Sequence, residues 1–476
     1  MPRMNTFFSL TVATVLGLSM AAVSHAASMQ IQDDRMAEVD GKRTFILGLY
    51  GMPKGDAELD RVAAAGFNLV HASPDAKELD ALQAKGVWAW INTGGAIDFS
   101  DSRTEREQQL RKLVTDFGGH PAMLVWEVPD EALWNVWYGA NQWRMGAERS
   151  EQKKLIDALT DAELQKKLLA ERDRVGQLYS AGKYAEGEQV ADAIWTALGK
   201  TQPNPGLNLS NAPERATKMA GGMIDGYKLL REIDTKHPVW MNHAPRNTIK
   251  QLAEFNLGAD IVGCDIYPVP ARVGGHSDIQ DVTVTSVGAY TRRMQDAAPG
   301  KPTWMVLQGF GWADLNETKA DSKRDEYRRP TFNESRFMAY NAIANGARGI
   351  LYWGSAYIEV DSELWSDLLK LVRELADRQP LLSAREAALP IQVTTAETWG
   401  SQDRTVRVVP KQVGDKVSFI VVNEWREPLT YTIAGLESLN GVAYSDGPDI
   451  AATVSGGTLT QTLAGQSVHV LEPGVK

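Results

Sequence analysis

Eight times along the chain a short run of aliphatic and aromatic residues gives way to a loop and then to an amphipathic helical stretch. The runs are "TFILGLYG" (44–51), "GFNLVHAS" (66–73), "GVWAWIN" (86–92), "AMLVWEV" (122–128), "PVWMNHA" (238–244), "ADIVGCDIYP" (259–268), "PTWMVLQGF" (302–310) and "GARGILYWG" (346–354). Runs that are apolar without alternation predict strands covered on both faces, which is the condition of a parallel sheet with helices packed around it. Eight such units close most naturally into a (β/α)8 TIM barrel. The alternative, an open doubly wound sheet, lacks its usual mark, because no Gly-rich phosphate loop follows the first run.

The segments between the runs read as helices. In "DAELDRVAAAG", "DAKELDALQAKG", "RTEREQQLRKLVTDFGG" and "FNESRFMAYNAIANG" apolar residues recur every three or four positions, and a glycine often closes the segment. One connection is far longer than the rest. From about 132 to 212 a charged stretch reads as two or three additional helices, predicting a helical insertion over the fourth strand. Near Pro380 the period changes to two, in "IQVTTAETW", "RTVRVVPKQ", "KVSFIVVNE", "LTYTIAGL" and "QSVHVLEP", as expected of an antiparallel β-sandwich. A chain of 476 residues exceeds what one core usually organises. The division expected is a leader at 1–26, a barrel at 27–385 and a C-terminal sandwich at 386–476.

The leader carries Arg3, an apolar run from Phe7 to about Met20 and small residues at Ser24 and Ala26, the layout of a secretory signal peptide cut near Ala26. The run is short for a bilayer span, so no membrane anchor is expected, and the localisation expected is periplasmic or secreted. The single cysteine, Cys264, precludes an intramolecular disulfide. A net charge of −10 argues against a nucleic-acid partner, which needs clustered Lys and Arg. The sequence carries no signal for an oligomeric state.

Barrel active sites are built where the strands end. In order, those ends present Tyr50, His71, Trp90 and Asn92, then Glu127, Asp130 and Glu131, then Asn242 and His243, Asp265 and Tyr267, Gln308 with Trp312 beyond it, and Trp353. Trp134 begins a further aromatic group in the insertion, with Trp137, Tyr138 and Trp143. Such a lining, polar and aromatic with few cations, suits a neutral polyhydroxylated ligand, because aromatic faces stack on sugar C–H surfaces while carboxylates and amides bind hydroxyls. Trp240 and Trp304, inside strands, are read as core. Neither a His-x-His nor a His-Glu-x-x-His spacing is present, so no metal or cofactor is expected.

The stretch "VWEVPDEALW" resembles the fourth-strand motif of clan A glycoside hydrolases, and "GCDIYPV", "PTWMVLQGFGW" and "GARGILYWG" resemble the sixth, seventh and eighth strands of barrel members sharing an Asp-Glu-Pro signature. The resemblance implies a carbohydrate substrate and makes Glu131 the acid/base. It also implies a nucleophilic Glu at the end of the seventh strand, where this chain has Gln308.

Hydrolysis of a glycoside needs a second carboxylate. Asp265 leads, as a base across the pocket, and a wide separation from Glu131 would imply inversion; the same residue could instead only fix the loop at Tyr267-Pro268. Glu127 could be the partner, or could raise the pKa of Glu131 by repulsion. Asp130 reads as a helix N-cap or as an orienting group for Glu131. His71 and His243 either bind hydroxyls or are satisfied structural groups. Two other functions stay open, a glycan-binding barrel without catalysis and a polysaccharide lyase, for which Arg246 and Arg272 are the candidates to neutralise a uronic acid.

Overall fold

The computed structural model describes residues 26–271, 278–315, 326–397, 405–447 and 450–474. The expected leader, apart from Ala26, and Arg272 lie outside them. Eight parallel strands close into a barrel: β1 (Ile46–Leu49), β2 (Leu69–Ala72), β3 (Trp88–Asn92), β4 (Met123–Glu127), β5 (Val239–His243), β6 (Ile261–Ile266), β7 (Thr303–Gln308) and β8 (Gly349–Trp353), with β8 pairing back onto β1. The barrel helices are α1 (Asp56–Ala65), α2 (Ala76–Ala84), α3 (Arg103–Phe117), α4 (Ala212–Ile233), α5 (Ile249–Asn256), α6 (Ser286–Ala297), α7 (Phe332–Ala344) and α8 (Glu363–Asp377). Each of the eight apolar runs supplies one strand.

Local chemistry sets where the helices begin and end. The Asp75 side chain accepts the Lys77 N–H to open α2, Thr331 and Glu334 form a reciprocal capping box on α7, and Gly66, at φ 98°, closes α1 in the left-handed region. Helix α8 shows how they stay in place. It buries Leu364, Leu368, Leu371, Val372 and Leu375 on one face, each contributing roughly 1.5–3 kcal/mol of transfer free energy.

Inside the barrel, side chains alternate as a pleated strand requires. Ile46, Leu69, Trp90, Trp240, Ile261, Trp304 and Leu351 fill the interior together with Ala27 and with Met29, Ala37 and Val39 from a three-stranded N-terminal sheet (Met29–Ile31, Ala37–Val39, Lys42–Thr44). The Met29 N–H donates to Lys236 just before β5, so this sheet plugs the N-terminal end. Trp240 and Trp304, read from the sequence as core, pack here with ring centroids 5.3 Å apart. They fit because position 263 is glycine, where a Cβ would meet the Trp304 carbonyl and the Trp240 ring. With that end sealed by apolar groups, polar side chains collect at the opposite mouth.

After β4 comes the insertion: helices Ala132–Asn141, Glu148–Asp157, Ala162–Ser180 and Tyr184–Ala197, with a π-helical turn at Gln142–Ala147. It has its own small core of Ile156, Leu168, Val175, Tyr179, Ala191 and Ile194. The π turn carries the fully buried Arg144, which donates to Glu148 at 2.7 Å, to Asp192 at 2.9 Å and to Asn208.

The C-terminal part is a pair of antiparallel sheets. One orders Gln392–Thr395, Leu429–Ala434 and Thr458–Leu463; the other orders Val406–Val413, Lys416–Asn423, Ser467–Pro473, Ala443–Ser445 and Ala451–Thr453. The strands Ala443–Ser445, Ala451–Thr453 and Thr458–Leu463 were not anticipated, being short or carrying threonine-rich alternation. Strand Lys416–Asn423 is buried on both faces. Val417, Phe419 and Val421 enter the sandwich core, whereas Ile420 and Val422, with Val468 and Val470, belong to the barrel's own apolar cluster. Polar links cross the same seam, Arg336 to the Val468 carbonyl at 3.1 Å and Asn345 to the Glu424 carboxylate at 2.9 Å.

Candidate active site

At the C-terminal mouth a cavity of about 180 Å³ is lined by Tyr50, Asp130, Glu131, Asn242, Asp265, Tyr267, Val306, Trp312, Leu315 and Trp353. Eight of the fourteen strand-end residues read from the sequence meet there: Tyr50, Asp130, Glu131, Asn242, Asp265, Tyr267, Trp312 and Trp353. Inward parity on β5, β6 and β8 aims Asn242, Asp265 and Trp353 along the barrel axis. Cys264, of opposite parity, packs outward in the apolar cluster.

Glu131 follows the end of β4 and begins the first inserted helix. Its backbone sits at φ 48°, ψ 35°, in the left-handed region, where a side chain other than glycine or Asn/Asp costs on the order of 1 kcal/mol. Two contacts from β5 hold this turn. The Glu131 N–H donates to the Asn242 carbonyl at 3.3 Å, and Asn242 Nδ2 donates to Asp130 Oδ1 at 2.9 Å. The N-cap position is therefore Glu131, and Asp130, read from the sequence as a cap or an orienting group, faces the pocket.

Glu131 and Asp265 line the same cavity close enough for their charges to act on each other, with Tyr267 beside them. Burial, with the Asp130 charge beside it, pushes the Glu131 carboxyl up to about 7. Burial and the charges of Glu131 and Asp130 hold Asp265 well above the ordinary carboxylate range. Near neutral pH Glu131 is therefore poised to hold or release a proton.

Behind them stands a third carboxyl. Glu127 is 1% exposed and accepts from Tyr50 Oη at 3.0 Å, Trp90 Nε1 at 3.1 Å and Asn92 Nδ2 at 2.9 Å. Burial and the Asp130 charge push it up to about 8, against the pull of those three donors. Its side chain is engaged by the barrel and does not line the cavity. Glu127, Trp90 and Asn92, expected as ligand contacts, thus form a supporting layer that fixes Tyr50. His71 is half-buried with its ring 6.2 Å from Tyr50 and 5.4 Å from Trp90, also outside the lining.

Four further residues read from the sequence stand outside the cavity lining. His243 has outward parity on β5 and bonds Asn256 of α5 at 2.9 Å; burial drives its pKa down to about 4, so it is a neutral packing residue. Gln308, at the position where the resemblance implied a nucleophile, is fully buried. Its Nε2 donates to the Val269 carbonyl at 2.6 Å and the Phe310 carbonyl at 3.0 Å, and its Oε1 accepts the Val269 N–H at 2.9 Å, which ties the loop after β6 to the end of β7. Trp134 lies on the first inserted helix, stacked on Tyr138 at 5.7 Å with Arg246 over its ring, and not in the cavity. Arg246 is exposed on that surface, so it does not reach a carboxylate in the pocket as the lyase reading requires.

Sequence reasoning missed Val306 and Leu315, apolar residues with no chemical signature. The walls are aromatic: Tyr267 stacks on Trp353 at 5.5 Å, and Trp312 meets Tyr267 edge-on at 6.4 Å. Among the described residues no group of three His, Cys, Asp or Glu is arranged to hold a metal ion, and no helix is long and apolar enough to cross a membrane.

No family model and no curated protein matches the chain in sequence. Solved structures share its fold. A glycoside hydrolase family 5 protein from Bacteroides vulgatus superposes with a TM-score of 0.50 at 12% identity, over 94% of this chain and 93% of that one. Gan42B, a GH42 β-galactosidase, gives 0.51 at 10% identity over 94% and 99%, and its catalytic mutant, from G. stearothermophilus, gives 0.50 at 10% identity over 90% and 98%. At such identities the likeness is one of fold.

Proposed function

We propose that the chain is an exported glycoside hydrolase acting on an oligo- or polysaccharide, with Glu131 as general acid and Asp265 as the second carboxylate. The observation that carries this reading is that Glu131 and Asp265 line one cavity at the mouth of a (β/α)8 barrel, set between aromatic walls. The solved glycosidases of the same fold support it, and the leader-like first residues support export.

A carboxyl held near pH 7 is matched to proton transfer at neutral pH. Glu131 gives its proton to the glycosidic oxygen as the bond from that oxygen to the anomeric carbon breaks. Water then supplies the new hydroxyl at that carbon, and its proton returns to a carboxylate of the pair. The cavity is smaller than the ~300–1,000 Å³ of sites for drug-sized ligands, so it holds a single ring-sized unit.

Gln308 favours a second reading, a barrel that binds glycans without cleaving them. Reducing-end release from a panel of neutral and acidic glycans, measured for the intact protein and for Glu131→Gln, separates the two. Hydrolysis predicts a loss of roughly 10²–10⁴-fold in the variant; release equal in both proteins removes Glu131 from the reaction, and none in either leaves binding.

A further inference from the structure

The pocket differs from other buried acid sites of this chain in what neutralises it. Glu148 faces Arg144 at 2.7 Å, Glu58 faces Arg61 at 2.8 Å and Glu424 faces Arg407 at 3.0 Å. Asp130, Glu131 and Asp265 line one cavity, with Glu127 directly behind, and among the described residues no Lys, Arg or His lines it. An enclosed cluster of carboxyl groups is relieved either by protons or by a cationic ligand.

Two acceptors on the acidic side of the cavity are left over. Asn242 Oδ1 and Asp265 Oδ1, on residues 3% and 4% exposed, accept no hydrogen bond from any neighbour. Both are acceptors. What would satisfy them is a group with several donors and no lone pair to set against the carboxylates, and an ammonium, with three N–H bonds and a positive charge, is such a group. A hydroxyl brings one donor and two lone pairs. An acetamido group brings one N–H and turns a carbonyl toward the acids. The stacked faces of Tyr267 and Trp353 add a surface that attracts cations as well as sugar C–H groups.

We infer that the sugar taken by this pocket carries a protonated amine, so that the substrate class is a glycoside of an amino sugar whose nitrogen is not acylated. This rests on the glycosidase reading above and narrows it. Asp130, held toward the cavity by Asn242, is the carboxylate assigned to the ammonium, leaving Glu131 and Asp265 for the reacting bond.

Two measurements test it. The first compares hydrolysis of 4-nitrophenyl glycosides of glucosamine, galactosamine and mannosamine with their N-acetyl and neutral counterparts at pH 6, where the amines are charged. The second titrates Glu131→Gln calorimetrically with the matching methyl glycosides. At least one amine is expected to exceed its neutral and N-acetyl counterparts by tenfold or more, in kcat/KM and in affinity. Asp130→Asn should shrink that ratio to within about threefold, an effect distinguishable from misfolding because the neutral glycoside reports the integrity of the same site. Hydrolysis of neutral or N-acetyl glycosides at rates equal to or above the amines overturns the amino-sugar assignment and leaves the glycosidase reading standing. Calorimetric amine preference with no hydrolysis of any glycoside does the reverse.

Discussion

Replacing Gln308 by Glu would restore the residue type that the clan A resemblance implies at the end of the seventh strand, and the structure says that it would do harm. Gln308 donates two hydrogen bonds, to the carbonyls of Val269 and Phe310, and accepts one, from the Val269 N–H. An ionised Glu keeps only the last. Two buried carbonyls then lose their donor at ~1–3 kcal/mol each, so Gln308→Glu should cost roughly 2–6 kcal/mol at pH 8. A protonated Glu donates once and recovers about half of that. The introduced carboxyl is stabilised in its neutral form, so its pKa in the folded protein lies above its unfolded value of ~4.3. The variant is therefore closest to the parent near and below that value, and loses stability as pH rises through the folded pKa. Thermal melts of both proteins at pH 5 and pH 8 should show a gap of roughly 2–6 °C at pH 8 and a smaller one at pH 5. Identical melting at both pH values, above all with a gain in glycosidase rate, would refute the role of Gln308 as a strut and make it a nucleophile position lost by one substitution.

Other consequences follow from the same geometry. Because Glu131 acts in its protonated form and its pKa stands near 7, kcat/KM should fall as pH rises through about 7, and a pH profile of Glu131→Gln should lack that limb. Asn242→Ala removes the donor that favours ionised Asp130; with Asp130 more often neutral, Glu131 is repelled less, and the alkaline limb should move to lower pH by roughly half a unit or more. An unmoved limb would disconnect Asp130 from the acid. Arg144→Met leaves Glu148 and Asp192 without their buried cation, at roughly 3–5 kcal/mol, and limited proteolysis should then cut first within 142–210.

The barrel was legible because its strands are apolar on both faces and its helices are not, a contrast that repeats eight times and leaves little choice of architecture. Trp240 and Trp304 could be placed inside it by position within their runs. The site was legible only in part, because the end of a strand tells which residues are near the mouth and not which way each points. Parity would have turned His243 away, one residue after the inward Asn242. It could not have disqualified Gln308, which shares the inward parity of Val306 and is withdrawn by hydrogen bonds to a loop some forty positions earlier. Nor could it separate Glu127 from Glu131, since their difference arises from the left-handed turn between strand and helix and from Tyr50, Trp90 and Asn92 gathering around the first of them.

The C-terminal sheet touches the barrel through Ile420, Val422, Val468 and Val470, side chains that the barrel counts among its own interior. Such a sheet is a wall and not a cargo. Domains tethered by a polar linker can be exchanged between enzymes and melt independently, but here removal of one partner would leave an apolar strip open on the other, an invitation to aggregate. The two should therefore unfold in a single cooperative step and be inherited together, so that the reach of this fold toward new substrates lies in its loops and its helical insertion rather than in trading its C-terminal half.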